Sequence, residues 1–315
     1  MMDAFRMADE FRSLSGADAV FTVATPDGAR LPVYELRAPA AGPALLLGHA
    51  NGLPAGSYEP WLKALARDVH VFAFDARGHG GAAWPAGPLE AVFHIDRFAE
   101  DLRCVADAVA ARIEGTPLYY LGHSLGGAAA LDLAAAGNLP DFAGVMLIEP
   151  PVVPPPDSPV RAEAEATQMQ LVERARRRRA DWPSIEAFHA RLKSGNHAFA
   201  RFAPEMLEAH CRAALKPKPD GGFTLATPPA VEAMIFTVRR HGTTWQWLDR
   251  IERPLDLIGG DPNFPDRDWV ARAVPEMARR MKRARLTQLA GIGHLMMQED
   301  PKRLLALVRR WLGCA

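Results

Sequence analysis

Cysteine is scarce in this 315-residue chain: Cys104, Cys211 and Cys314 stand far apart, with no Cys-x-x-Cys pair. An odd, sparse set argues against a disulfide framework and fits a reducing compartment. Net charge is missing too. Lys and Arg total 37 and Asp and Glu 37, so no whole-chain field draws the protein to nucleic acid or to an anionic membrane. No apolar run reaches the roughly 20 residues of a membrane span, and Met1-Met2-Asp3-Ala4-Phe5-Arg6 lacks the apolar stretch of a secretory signal. His-Glu-x-x-His, a Walker loop and Gly-x-Gly-x-x-Gly behind a strand are all absent. Metal, nucleotide and dinucleotide readings therefore have no support, and no cofactor is expected. The expected location is cytoplasmic and the expected partner a small-molecule substrate, with no nucleic acid and no membrane span; homodimerisation is left open.

What the chain does have is alternation. Residues 20–24 and 31–36 alternate apolar with polar about Asp27-Gly28, a hairpin signature. Continuous apolar runs over 44–49, 69–74, 118–121 and 144–148 read as strands buried on both faces. Helical stretches separate them over 58–66, 89–113 and 128–136, and the first dozen residues read as a short helix or loose arm. Strands alternating with helices imply a mostly parallel sheet with right-handed crossovers. The rhythm then breaks for longer than a crossover needs. Pro150-Pro151 and Pro154-Pro155-Pro156 open an insert with helices predicted over 159–180, 184–192, 204–215 and 230–240, and a linker or turn at Lys216-Pro217-Lys218-Pro219-Asp220-Gly221-Gly222. Alternation resumes with strands near 254–260 and 286–289 and helices over 269–282 and 301–312, the last capped by Asp300 with Pro301 at its first position. The expected division is an α/β core over 1–149 and 251–315 around a helical cap over 150–250.

Gly122-His123-Ser124-Leu125-Gly126 lies where a strand gives way at once to an Ala-rich helix. The glycines let the two backbones cross, and the serine between them is held on a tight, strained turn beside a helix N-terminus. A serine hydroxyl needs a base, and the base needs an acid to fix its tautomer. In open α/β sheets such partners sit at the C-terminal ends of strands. His294, in Ala290-Gly291-Ile292-Gly293-His294, follows the last predicted strand; Asp261, in Gly259-Gly260-Asp261-Pro262, and Glu149, after the strand next to the serine, are the candidate acids. His49 and His79 sit in turns and are expected to bond backbone, and His123 is expected to pack. The four arginines at 176–179 wrap round a helix and read as solvated surface, with an anionic-substrate site as the lesser alternative. Phe188, Phe199, Phe202, Phe236, Trp245 and Trp247 are expected to form the insert's own core, a few facing the serine.

Taken in order, His49-Ala50-Asn51-Gly52-Leu53-Pro54, Asp75-Ala76-Arg77-Gly78-His79-Gly80, the Ser124 turn, an acid after a strand, Gly293-His294 and Glu299-Asp300-Pro301 resemble the α/β-hydrolase fold serine hydrolases. The resemblance spans nearly all of the chain outside the insert. It implies an α/β fold: a doubly wound, mostly parallel eight-stranded sheet with a helical cap inserted after the strand ending at Glu149. By position it makes Ser124 the nucleophile, His294 the base and Asp261 the acid, in a loop stiffened by Pro262 and Pro265, with Glu149 the alternative. Backbone N–H groups of Leu125 and Asn51 would form the oxyanion hole, although Ala50 stands where that loop commonly has Gly. The implied activity is hydrolysis of a carboxylic ester of a small or medium apolar substrate through an acyl-enzyme. Lactone, thioester or C–C cleavage with the same triad is the alternative, as is a ligand receptor of the same fold.

Overall fold

The computed structural model describes residues 11–39, 42–195, 198–238, 244–264 and 269–314. Most of the arm expected at the N-terminus, Pro265, and the last two residues of the helix expected to reach 240 lie outside these.

Strands β1 (Ala19–Ala24) and β2 (Arg30–Leu36) form the expected hairpin, turned by Gly28 at φ 92. There follow β3 (Ala44–Gly48), α1 (Glu59–Leu65), β4 (His70–Phe74), α2 (Leu89–Val92), α3 (Ile95–Arg112), β5 (Leu118–His123), α4 (Leu125–Ala135) and β6 (Gly144–Ile148). The helix expected over 89–113 is two, because the His94 side chain accepts the Asp96 N–H and caps a fresh start. Beyond β6 come α5 (Arg161–Arg176), β7 (Asp181–Trp182), α6 (Ile185–Lys193), a 3₁₀ turn at Ala198–Arg201, α7 (Pro204–Ala213), β8 (Leu215–Pro217), β9 (Phe223–Leu225) and α8 (Pro229–Val238). The chain then returns through β10 (Leu255–Gly259), α9 (Trp269–Arg280), β11 (Ala284–Gln288), α10 (Met296–Glu299) and α11 (Pro301–Leu312).

Eight strands form one sheet in the order β1-β2-β4-β3-β5-β6-β10-β11, antiparallel at the β1 and β2 edge and parallel from β4 onward. Side chains alternate across it. Leu46, Tyr120, Leu147 and Leu257 face the layer of α3, α4 and α9, whereas Leu45, Leu47, Leu121 and Ile258 face that of α1 and α11. This two-sided burial is why the strands read as unbroken apolar runs. The insert differs from the all-helical expectation: β7, β9 and β8 form a second, antiparallel sheet. Gly221 and Gly222, at φ 94 and 70, fold the Lys216-Pro217 segment back on Phe223, making a hairpin of what reads as a linker.

The loop after β4 is anchored by Asp75, a fully buried carboxylate. It accepts from the Ser13 hydroxyl and Tyr34 phenol at 2.7 Å each, and from the N–H groups of Ala55 and Gly81 at 2.9 Å. A carboxylate so fully satisfied holds the loop after β3, through Ala55, against the loop after β4. Among the described residues, no helix is long and apolar enough to cross a membrane.

Candidate active site

Ser124 lies between β5 and α4 at φ 51 and ψ −108, and its N–H bonds the Ile148 carbonyl at 2.9 Å. Two glycines make this turn possible. A Cβ on Gly126 would stand 2.4 Å from the Gly48 carbonyl oxygen, and one on Gly122 would stand 2.7 Å from the Gly127 nitrogen. Among the described residues only Glu114, Ser124 and Glu149 are non-glycines at positive φ. Two of the three meet at one histidine, the kind of place where backbone strain is maintained by surrounding structure.

That histidine is His294. Its Nε2 lies 3.0 Å from Ser124 Oγ and its Nδ1 2.9 Å from Glu149 Oε2. With the hydroxyl donating to Nε2, the proton is on Nδ1 and donates to the carboxylate. Glu149 is fully buried, and its Oε1 accepts the Gly260 N–H at 2.5 Å. A Cβ on Gly260 would come 2.8 Å from the Ile292 carbonyl oxygen and 3.2 Å from Glu149 Oε1, so glycine there admits the carboxylate.

The expectation that Asp261 meets the imidazole is not met by the structure. Its Oδ1 accepts the Asn263 N–H at 2.8 Å and its Oδ2 the Gly291 N–H at 2.7 Å. These backbone bonds hold its carboxyl below the usual carboxylate range. Two residues past the end of β10, the chain has already turned, and Asp261 closes its own loop and ties it to the loop after β11. Glu149, the next residue after β6, reaches the imidazole instead.

The loop after β3 is held from behind by two buried histidines. His49 Nδ1 donates to the Ala50 carbonyl at 2.8 Å and its Nε2 accepts the Ala76 N–H at 2.9 Å; burial pushes its pKa down. His79 Nδ1 donates to the Arg77 carbonyl at 3.0 Å, and its Nε2 accepts the Gly52 N–H at 2.9 Å. The Ala50 N–H is already given to the Tyr58 hydroxyl at 3.1 Å. The next N–H, that of Asn51, has no acceptor among the described residues, and neither does that of Leu125 at the N-terminus of α4. The Asn51 side chain donates to the Glu232 carbonyl of α8 at 3.2 Å, joining this loop to the insert.

Sequence reasoning missed Tyr58 and undervalued His123. The Tyr58 hydroxyl donates to His123 Nδ1 at 2.7 Å, and His123 Nε2 donates to the His294 carbonyl at 2.9 Å. A buried relay thus runs from the Ala50 N–H to the backbone of His294, and burial keeps His123 neutral by pushing its pKa down to about 3. Nothing local in the sequence marks Tyr58, which resembles any aromatic at the start of a helix. Of the arginines at 176–179, Arg176 and Arg177 are exposed, while Arg178 pairs with Glu232 above Gly52. Phe199, Phe202 and Phe188 surround the buried His210 on α7. No group of three or more His, Cys, Asp or Glu side chains is placed to hold a metal among the described residues.

The family model described as the alpha/beta hydrolase family matches residues 45–307 of the chain. Monoglyceride lipase from Homo sapiens is 36% identical over 115 residues, which are 36% of this chain and 37% of the lipase. The match therefore spans little more than a third of that relative's length. Among solved structures, that of E-2-(acetamidomethylene)succinate hydrolase superposes with a TM-score of 0.73 at 18% identity, covering 94% of this chain and 100% of the other, a likeness of fold alone. A hydrolase from Pseudomonas aeruginosa PA01 superposes with a TM-score of 0.66 at 25% identity, covering 95% and 100%.

Proposed function

The chain belongs to the alpha/beta hydrolase family, and on that premise we propose that it is a serine hydrolase that cleaves a carboxylic ester of a small or medium apolar substrate, with Ser124, His294 and Glu149 as its triad. The observation that carries this reading is the imidazole of His294, placed between a strained serine hydroxyl at 3.0 Å and a buried carboxylate at 2.9 Å. Serine is the least reactive of the common nucleophiles unless a base takes its proton, and this arrangement supplies that base with its tautomer fixed.

Ser124 Oγ attacks the ester carbonyl as His294 Nε2 takes the hydroxyl proton. The tetrahedral oxyanion rests on the N–H groups of Leu125 and Asn51, two donors already oriented before substrate arrives. Glu149 keeps Nδ1–H pointed away from the serine and stabilises the imidazolium without becoming protonated itself. Collapse of the intermediate breaks the carbon–oxygen bond, and Nε2–H gives its proton to the departing alkoxide, leaving an ester on Ser124. Water then gives a proton to Nε2 and attacks the acyl carbon. The second intermediate expels Ser124 Oγ, which recovers the proton, and the carboxylic acid leaves. An ester as the substrate is supported by the lipase named among the relatives.

A fluorophosphonate should add one phosphonyl group to the chain, located on Ser124 by peptide mass spectrometry and lost in Ser124→Ala. Turnover of a short-chain aryl ester should be lost in the same variant. An adduct on another serine, or wild-type protein that neither labels nor turns over, overturns the reading.

A further inference from the structure

Glu299 is the last residue of α10, five positions past His294, and its carboxylate serves two groups. Oε2 accepts the N–H of Gly293, the residue before His294, at 3.1 Å. Oε1 accepts from Nε and Nη2 of Arg201, each at 3.1 Å. Arg201 comes from the insert, at the end of the 3₁₀ turn. Its guanidinium also lies 5.0 Å from the centroid of the Phe264 ring. That ring packs on Gly293 so closely that a Cβ there would stand 2.8 Å from it. Two residues beyond Arg201, the Ala203 N–H bonds the Gln298 carbonyl at 2.8 Å. The insert is thus joined, by a largely buried charge and a backbone bond, to the turn that carries the imidazole.

We propose that Arg201 is a positioning residue for His294: by neutralising Glu299 and holding it on the Gly293 N–H, it couples the seating of the insert to the geometry of the base. This rests on the reading of His294 as the general base. An Arg that grips one carboxylate oxygen with two N–H groups fixes direction as well as charge, and a small misplacement of a base costs rate far more than affinity. Among the described residues, the charged and titratable groups packed about the His294 turn are Glu149 on its Nδ1, neutral His123 against its ring, Glu299 with Arg201 on the Gly293 N–H, and Asp261 on the Gly291 N–H. Removing Arg201 leaves a Glu299 carboxylate, held on the N–H of the residue before His294, without its arginine. A nearby negative charge favours imidazolium, so the pH below which the base is lost must rise.

The test uses the full chain and a soluble aryl ester, with kcat and KM followed against pH. Arg201→Met should lower kcat about tenfold with KM within about twofold of wild type, and move the acid limb of kcat/KM to higher pH. Arg201→Lys should recover most of kcat. Arg201→Met/Glu299→Gln should return the acid limb to the wild-type pH while kcat stays low. An NMR titration of the His294 ring in the same variants reads the same shift without turnover. If the ring shifts as stated while the wild type shows no ester turnover and no Ser124 adduct, the positioning role stands and the hydrolase reading fails. Wild-type kcat and an unmoved ring titration in folded Arg201→Met overturn the proposal, as does a shift that persists in the double variant.

Discussion

Glu149→Gln is the substitution on which the triad can be broken with least change of shape. The Glu149 carboxylate uses both oxygens on donors: Oε1 takes the Gly260 N–H at 2.5 Å and Oε2 the His294 Nδ1–H at 2.9 Å. A glutamine has one oxygen for these two donors. If that oxygen stays on Gly260, its NH₂ faces Nδ1 and forces the proton to Nε2, which then points a donor at Ser124 and cannot act as base. If it turns to His294, its NH₂ meets the Gly260 N–H head-on in a fully buried site. The wrong tautomer costs about 10⁴ in turnover in the serine-protease case, or about 5 kcal/mol of transition-state stabilisation at 1.36 kcal/mol per tenfold. Asp261→Asn keeps one acceptor for its two backbone donors at a half-exposed loop, and kcat should stay within about threefold of wild type. The assay is kcat for each variant on one aryl ester, with circular dichroism to confirm folding. A loss near 10⁴ in Asp261→Asn, with Glu149→Gln within tenfold of wild type, would refute the assignment.

Burial pushes both His123 and His210 down to about pKa 3. Unfolded histidines titrate near 6.5, so the stability due to each neutral ring is complete above that pH. It is lost as pH falls toward 3, at up to about 1.4 kcal/mol per unit for each ring. Urea midpoints should therefore decline from pH 7 to pH 5, and His210→Gln should flatten the decline. Tyr58→Phe leaves the Ala50 N–H and His123 Nδ1 without their shared partner; kcat should fall about tenfold and stability by about 1–3 kcal/mol, read by kinetics and chemical unfolding. Ser124 is only 3% exposed, and a nucleophile so enclosed suits a small substrate better than a lipid aggregate. Rates should favour short and medium acyl esters over emulsified long-chain triglyceride, with no jump in rate as the ester passes its solubility limit.

The fold was legible because the inner strands of the large sheet announce themselves as apolar runs between glycine or proline punctuation and the first hairpin by its alternation about Asp27-Gly28, and the Ser124 turn because a serine between glycines at a strand-to-helix junction has few other uses. The second sheet of the insert was not. Three-residue strands such as Leu215–Pro217 have no periodicity to read, and a proline inside one argues against a strand at all. Tyr58 and Arg201 were hidden for a different reason. Each acts through a contact with residues far away in sequence, Tyr58 with His123 and Arg201 with Glu299, and pattern along the chain carries no record of such pairs.

The acid was ambiguous for a reason that can be located to one residue. In the parallel pairing of β6 with β10, Ile148 lies opposite Ile258 and the Glu149 N–H bonds the Ile258 carbonyl. Glu149 and Gly259 thus end neighbouring strands side by side, and a carboxylate from either strand end lies near the loop that follows β11. Distance along the sequence cannot separate them. What separates them is the direction in which each leaves its strand. Glu149, at φ 46, turns its side chain across the end of β10, and that path is open only because residue 260 has no Cβ. Asp261 comes after this crossing, when its own backbone is already bonded to Ile292 at 2.9 Å, and its short side chain is spent on the turn. The pair Gly259-Gly260 therefore held the answer in the sequence. Read as freedom for the Asp261 loop, it favours Asp261; read as room for a neighbour's side chain, it favours Glu149. Gly260→Ala tests the second reading: the added methyl would stand 3.2 Å from Glu149 Oε1 and 2.8 Å from the Ile292 carbonyl. It should lower kcat by about a hundredfold by displacing the acid; the Asp261 N–H bond to the Ile292 carbonyl is strained as well, so Asp261→Asn at near wild-type kcat is the control that assigns the loss to Glu149. Wild-type kcat in a folded Gly260→Ala variant would show that the carboxylate does not depend on that gap.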